Sequence, residues 1–495
     1  MSDDRPANET GSIAAPPSAA RSESPGVLGR DGALSIDEKR RRVREMLRNA
    51  QQAMALPAAR ATAVGLDFAA LPTYAKLTYD MASTSTSIEH AESRRFATWL
   101  NDIEADGAYS FEVPRLGGQT PEVDVERADG LRLRLLNFGS YNYLGYSTHP
   151  EVIAAAKAAL DRYGLGAASS PIQSGTLALH RELERALLEH YGLVATHGVS
   201  LFSSGYGVNA GAIPAFIKPG QYVVLDRSAH VSIQEGAQLS KAKILYFRHN
   251  DPDNLDAMLA RVASEQVRVL VCTEGVFSAD GDFGRLREMV AICKRHGAAI
   301  LVDEAHSILV AGEHGRGVCE AAGVLEDIDL IVVTFSKGFG AVGGALIARR
   351  DLARYVNWYA KCRMFSCALD PAVTGGMIAV LGLVRTADGA ERRARIRDNA
   401  AMFRGLLSPY VDIGASESWI VPVFYYRDEL TFVLNDFLQR RGLDGSIMQF
   451  PAVPKNEARV RLFVTAEHTH EQLRRAARII REAADHFGFA GKGPR

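Results

Sequence analysis

An α/β fold with a mostly parallel central sheet and a smaller α+β C-terminal domain is what this chain predicts. Short Val/Ile/Leu-rich runs alternate with helix-length segments through its middle. Several runs are apolar throughout rather than alternating, as strands covered on both faces are. A chain of 495 residues can bury a large core in two or three domains. In such a sheet the ligand sits beyond the strand ends.

Residues 1–34 are rich in Ser, Pro, Ala and Gly and read as a disordered tail. Ser35-Ile36-Asp37-Glu38 reads as a capping box opening a helical extension over 35–80. Val43, Met46, Leu47, Ala50 and Met54 give that helix one apolar stripe, and Lys39 to Arg42 make its start basic. Three readings stay open for it: a solvated helix on the body, a dock for a partner or carrier protein, or a membrane-surface element. Residues 81–150 lead into the core, with a large domain expected over 151–385 and a small one over 386–495. Helices are expected over Pro150–Arg162, His180–Tyr191 and Pro371–Arg385. The strand candidates are Val199–Phe202, Tyr222–Leu225, Ile244–Phe247, Val267–Cys272, Ala299–Val302, Leu330–Thr334 and Ala345–Ala348.

Hydrophobic content of 47% and charged content of 23% are ordinary for a globular enzyme. A formal net charge of −1 favours neither nucleic acid nor an anionic membrane as a partner. The five cysteines are odd in number and lack CxxC spacing, so neither a disulfide framework nor a zinc site is expected. A cytoplasmic location follows from that usage. No apolar run reaches transmembrane length, and Asp3, Asp4 and Arg5 do not begin a secretory signal.

The chemistry is expected at strand ends. Lys337 follows the apolar run Leu330-Ile331-Val332-Val333 inside a Gly-rich loop, a poor place for a surface lysine and a good one for a Schiff-base lysine. Asp303 and His306 follow Ile300-Leu301-Val302, and Asp226 and His230 follow Tyr222-Val223-Val224-Leu225. Lysine, aspartate and a flat imidazole are the parts that pyridoxal 5′-phosphate (PLP) needs. Ser204-Gly205-Tyr206-Gly207, between a strand and a helix, offers backbone N–H groups to the phosphate.

The ordered runs Tyr143-Leu144-Gly145, Gly175-Thr176, Ser203-Ser204-Gly205-Tyr206, Glu274-Gly275-Val276-Phe277-Ser278, Asp280-Gly281-Asp282, Asp303-Glu304-Ala305-His306-Ser307, Gly315-Arg316-Gly317 and Thr334-Phe335-Ser336-Lys337 resemble the α-oxoamine synthase family. The resemblance spans roughly residues 136–470, and the serine palmitoyltransferase branch looks most similar. It implies a fold-type-I PLP transferase that joins a small amino acid (serine, alanine or glycine) to an acyl thioester with loss of carbon dioxide. Lys337 is then the cofactor-bearing acid and base, Asp303 the partner of the pyridine nitrogen, and His230 the ring-stacking imidazole. His306 and Ser278 would meet the phenolic oxygen, and Thr334 would join Ser204, Gly205 and Tyr206 at the phosphate. Asn142 and Arg461 would bind the amino acid. Arg459 shares a strand face with Arg461, so the pair leaves the carboxylate ligand open. The family is also homodimeric with shared sites, and Phe365-Ser366 matches the run that reaches the neighbouring subunit's phosphate.

One departure stands out. Ser169-Ser170-Pro171 replaces a run that in relatives carries a cation near the acyl-donor entrance. Together with the N-terminal helix, it leaves both acyl-CoA and an acyl carrier protein open as donors. Another fold-type-I enzyme, such as an aminotransferase or aldolase, and a non-catalytic scaffold subunit are the competing readings.

Overall fold

The seven expected apolar runs assemble into one sheet. Its strands are β3 (His197–Phe202), β4 (Tyr222–Asp226), β5 (Lys243–Phe247), β6 (Val269–Glu274), β7 (Ala299–Asp303), β8 (Leu330–Thr334) and β9 (Gly344–Arg349). They lie in the order β3-β9-β8-β7-β6-β4-β5. The five strands from β8 to β5 are parallel, and β9 runs antiparallel to both of its neighbours. This computed structural model describes residues 91–105, 109–262, 267–450 and 452–491. The tail expected over 1–34 and the helical extension over 35–80, with its capping box, lie outside the described residues.

Burial explains the continuous apolar runs. Every residue of β4, β6 and β8 is buried, because helices cover both faces of the sheet. The expected helices form over Pro150–Tyr163, Ala178–Tyr191 and Pro371–Val384. The last begins at Asp370, whose carboxylate accepts the Ala372 and Val373 N–H groups. No described helix is long and apolar enough to cross a membrane.

A second sheet has five strands in the order β1-β2-β11-β12-β10. Here β1 is Glu122–Glu126, β2 is Arg132–Phe138, β10 is Ile420–Tyr426, β11 is Leu443–Met448 and β12 is Ala458–Phe463. The parallel pairing of β2 with β11, Leu136 opposite Leu443, stitches the N-terminal segment into the C-terminal sheet. The Arg-Val-Arg-Leu alternation of β12 puts both arginines on one face, and all six residues of the strand are buried. Its arginine face packs against the loop around Ser278–Asp280, so the charges sit between the two sheets.

Parallel strands end on one edge, and there the acids collect. Asp226, Glu274 and Asp303 close β4, β6 and β7, with Glu274 paired in register to Asp303. Asp226 is bound by a cation: His249 Nδ1 lies 2.9 Å from it and His249 Nε2 lies 3.2 Å from Asp282. Burial alone would lower the pKa of this imidazole, but hydrogen bonds and charge from the two carboxylates outweigh it and raise it to about 10. The stabilisation is therefore complete below the ordinary value of 6.5 and is lost as pH rises through about 10. We expect the unfolding midpoint of the wild-type protein to fall across that window, and His249→Gln to flatten the dependence. Identical pH profiles by calorimetry would refute the linkage.

Candidate active site

The site lies beyond the C-terminal edge of the parallel strands. A cavity of about 340 Å³ is lined there by Ser204, Gly205, Tyr206, His230, Glu274, Asp303, His306, Thr334 and Lys337, among others. That volume suits a small cofactor with room for substrate.

Four elements build its walls. The turn after β3 delivers Ser204, which caps the helix Gly205–Phe216 by accepting the Gly207 N–H at 2.9 Å. The Gly205 and Tyr206 N–H groups then have no acceptor within the helix, and the helix dipole adds positive potential there. Glycine is required at 205, since a Cβ would come within 2.3 Å of Thr334 Oγ1. Helix start and β8 end thus close into a cradle sized for an anion. The Tyr206 hydroxyl turns away and bonds Glu235.

Asp303 ends β7 and is buried. Its carboxylate accepts the Asn209 side-chain amide at 2.7 Å and the Ala305 N–H at 2.9 Å. The next residue, Glu304, turns away and accepts the Val318 and Cys319 N–H groups. Gly317, at φ +96°, lets that loop pass, because a side chain there would strike the Glu304 carboxylate. His230 caps the helix Val231–Ser240, and its own N–H donates to Glu274 at 2.6 Å.

Lys337 follows β8, half-buried, with Nζ 5.8 Å from the centre of the Tyr141 ring. Burial lowers its amine pKa and the Arg461 charge lowers it further, while Asp303 and Glu274 oppose both. The net direction eases loss of the proton that imine chemistry requires the amine to give up. His306 is buried, with Tyr143 Oη 2.6 Å from Nδ1; burial and the Lys337 and Arg461 charges hold its pKa well below the usual range. Burial and the neighbouring Asp303 charge push the Glu274 carboxyl well above its usual range.

The two β12 arginines differ in their partners. Arg459 is bound to Asp280 at 2.6 Å and Glu457 at 2.9 Å. Arg461 meets only neutral groups: the Ser278 carbonyl at 3.0 Å, Ser446 Oγ at 3.0 Å and Tyr141 Oη at 3.5 Å. Its charge acts on Lys337, His230 and His306, and its Nε has no partner. Of the pair, Arg461 is the cation open to a substrate carboxylate.

Residues 134–480 match the family model for aminotransferase class I and II. A serine palmitoyltransferase from Sphingobacterium spiritivorum is 36% identical over 388 residues, 78% of this chain and 95% of that protein. An 8-amino-7-oxononanoate synthase from Geobacter metallireducens is 36% identical over 389 residues, 78% of this chain and 97% of its own length. The solved serine palmitoyltransferase from S. paucimobilis with a bound PLP–myriocin aldimine superposes with a TM-score of 0.74 at 34% identity. That match covers 79% of this chain and 97% of the other. The chain belongs to the α-oxoamine synthase family. It is a fold-type-I PLP enzyme that condenses an amino acid with an acyl thioester and releases carbon dioxide.

The α-oxoamine synthase cavity brings together Lys337, Asp303, His230, His306, Thr334, Ser204, Gly205 and Tyr206. Four expected residues do not line it, among them Arg461, which is hydrogen-bonded to the Ser278 carbonyl and Tyr141 Oη. Asn142 spends its side chain on Gln119 O and the Ser147 N–H, away from the cavity wall. Ser278 meets Arg461 through its carbonyl and does not line the cavity. Ser366 lies in a separate cleft with Pro171, His180 and Arg363, beside Phe365, which is 81% exposed. Glu274, Asn209 and Ser232 were given no role from sequence. Glu274 was legible as an acid ending a buried strand; the other two look like ordinary helix residues.

Proposed function

We propose that this chain condenses L-serine with an acyl thioester, in the cytoplasm, as a homodimer whose two sites are shared. The carrying observation is that Lys337, its amine pKa lowered, lines one cavity with the buried Asp303 and with His230, while the charge of Arg461, a cation with no acidic partner among the described residues, acts on both Lys337 and His230. When bound, PLP supplies an electron sink for the charge left on the substrate Cα. Every other part of the chemistry falls to side chains of this chain.

Asp303 would partner the ring nitrogen and hold its proton. The Ser204–Tyr206 turn and Thr334 would hold the phosphate, with Ser366 added from the neighbouring subunit, and His306 would take the phenolic oxygen. Arg461 would bind the substrate carboxylate as a fork and so orient the amino acid. Lys337, its amine pKa lowered, would accept the Cα proton and later return one. The serine palmitoyltransferase relatives favour serine over alanine or glycine. A carrier-bound donor is the second reading, favoured by Pro171 in the cleft beside Ser366.

The test is a thiol-release assay over serine, alanine and glycine, with CoA and carrier-protein thioesters compared. Serine-dependent thiol release with carbon dioxide is expected. Turnover without either product would refute the proposal, and the donor arm separates its two forms. Arg461→Ala should raise the amino-acid KM roughly 10–150-fold, the value of one charge-assisted contact. Arg459→Ala should lower the Tm and leave that KM unchanged. Equal KM effects would reverse the assignment within the pair.

A further inference from the structure

Asp303 and His230 line the same cavity, and a directed chain of hydrogen bonds joins them. Asn209 Nδ2 donates to Asp303 Oδ2 at 2.7 Å and to Ser232 Oγ at 3.0 Å. Ser232 Oγ lies 2.8 Å from His230 Nδ1, and the Ser232 backbone N–H donates to the same Nδ1 at 3.2 Å. Asn209 and Ser232 are each 1% exposed, so water does not compete for these bonds.

Each link has only one permitted direction. A carboxylate accepts and does not donate, so the Asn209 amide must turn its NH₂ toward Asp303. Its oxygen is left buried without a partner, a cost that an unconstrained asparagine would avoid by rotating. One amide hydrogen serves Asp303, and the other occupies a lone pair of Ser232 Oγ. The hydroxyl hydrogen of Ser232 is then free to point at His230 Nδ1. A backbone N–H can only donate, so Nδ1 must be a bare acceptor, and the single proton of the neutral ring sits on Nε2.

We propose that Asn209 and Ser232 are positioning residues that lock His230 as the neutral Nε2–H tautomer, so that it offers an N–H donor to the substrate carboxylate. This rests on the reading that the cavity takes PLP and an amino acid. The groups facing His230 agree with it: burial lowers its pKa, and Lys337 and Arg461 lower it further, against Asp303. Glu274 acts on its backbone N–H. A cationic His230 would need a proton on Nδ1, where two donors already point. Asp303 would thus serve twice, as the partner of the ring nitrogen and, through two uncharged side chains, as the anchor that orients the His230 imidazole.

The test uses PLP-loaded protein with ¹⁵N-labelled histidine. The His230 signal is assigned by its loss in His230→Asn. Two-bond ¹H–¹⁵N correlations should show the Nε2–H form at neutral pH, titrating below the ordinary value of about 6.5. Ser232→Ala should add the Nδ1–H form and shift the titration upward. It should also weaken L-serine binding, read from the visible band of the cofactor, roughly 2–10-fold, the value of one neutral hydrogen bond. Ethanolamine, which lacks the carboxylate, should bind as before. Asn209→Ala should move the same readouts in the same direction.

An Nδ1–H or imidazolium form in the wild type would overturn the proposal, and that spectrum decides even if the variants fail to fold. Equal losses for serine and ethanolamine, or no loss at all, would overturn it as well. Failure of the protein to take PLP at Lys337 would sink the proposed function instead. The tautomer remains readable in the cofactor-free chain, so the two failures are distinct.

Discussion

Lys337→Ala is expected to abolish serine-dependent thiol release while leaving the fold intact. On the proposed reading the lysine contributes a covalent anchor for the cofactor and the group that moves the Cα proton. Loss of a positioned acid–base group alone costs about 10²–10⁴-fold in rate, and loss of the anchor adds to it. The buried His306 imidazole is already engaged with Tyr143. Hydride reduction of the wild-type holoprotein should attach the cofactor mass to the peptide carrying residue 337, and the variant should give no such peptide. A small primary amine added to the variant should restore part of the rate, because the cavity retains the space the side chain vacated. Full activity in Lys337→Ala, or a trapped adduct on another lysine, would remove the basis for the whole mechanism.

Asp303→Asn is the second large effect. The substitution nearly conserves volume, so what changes is charge and hydrogen-bond sense. Two donors converge on this carboxylate, the Asn209 amide and the Ala305 N–H. An asparagine there must turn its own NH₂ toward one of them and leave two donors face to face. On the proposed reading it also removes the anion that would hold the ring nitrogen's proton, which would weaken the electron sink the cofactor supplies. Removal of one preorganised electrostatic partner costs about 10²–10³-fold in kcat. PLP affinity should fall as well, measurable by loss of the visible band on dilution. An unchanged kcat in Asp303→Asn would show that the ring nitrogen meets some other group.

Much of this was legible because strand ends in a parallel sheet are local in sequence. Each of the seven runs is apolar along its length, and each catalytic candidate sits within a few residues of a run's end. Lys337, Asp303 and His230 were therefore found by position as well as by type. What stayed hidden was non-local. The pairing of β2 with β11 joins residues about 300 apart, and neither run betrays the other. The alternation of β12 marked the strand, and its partner, the Ser278–Asp280 loop against its arginines, is remote in sequence. Arg459 and Arg461 could be ranked only when Asp280 was seen beside the first. Asn209 and Ser232 carry no signal in sequence, because a buried amide and a hydroxyl gain meaning only from what they face.

The β2–β11 pairing also bears on how the protein is born. Synthesis runs at about 5–20 residues per second, so β2 leaves the ribosome roughly 15–60 seconds before its parallel partner exists. Through that interval its open edge is available to other nascent chains. The strand that carries Arg461 comes later still, so a ribosome-bound chain can complete the PLP cradle before it can grip an amino acid. Fast elongation or a bound chaperone over residues 139–442 should therefore protect yield more than it protects the finished enzyme.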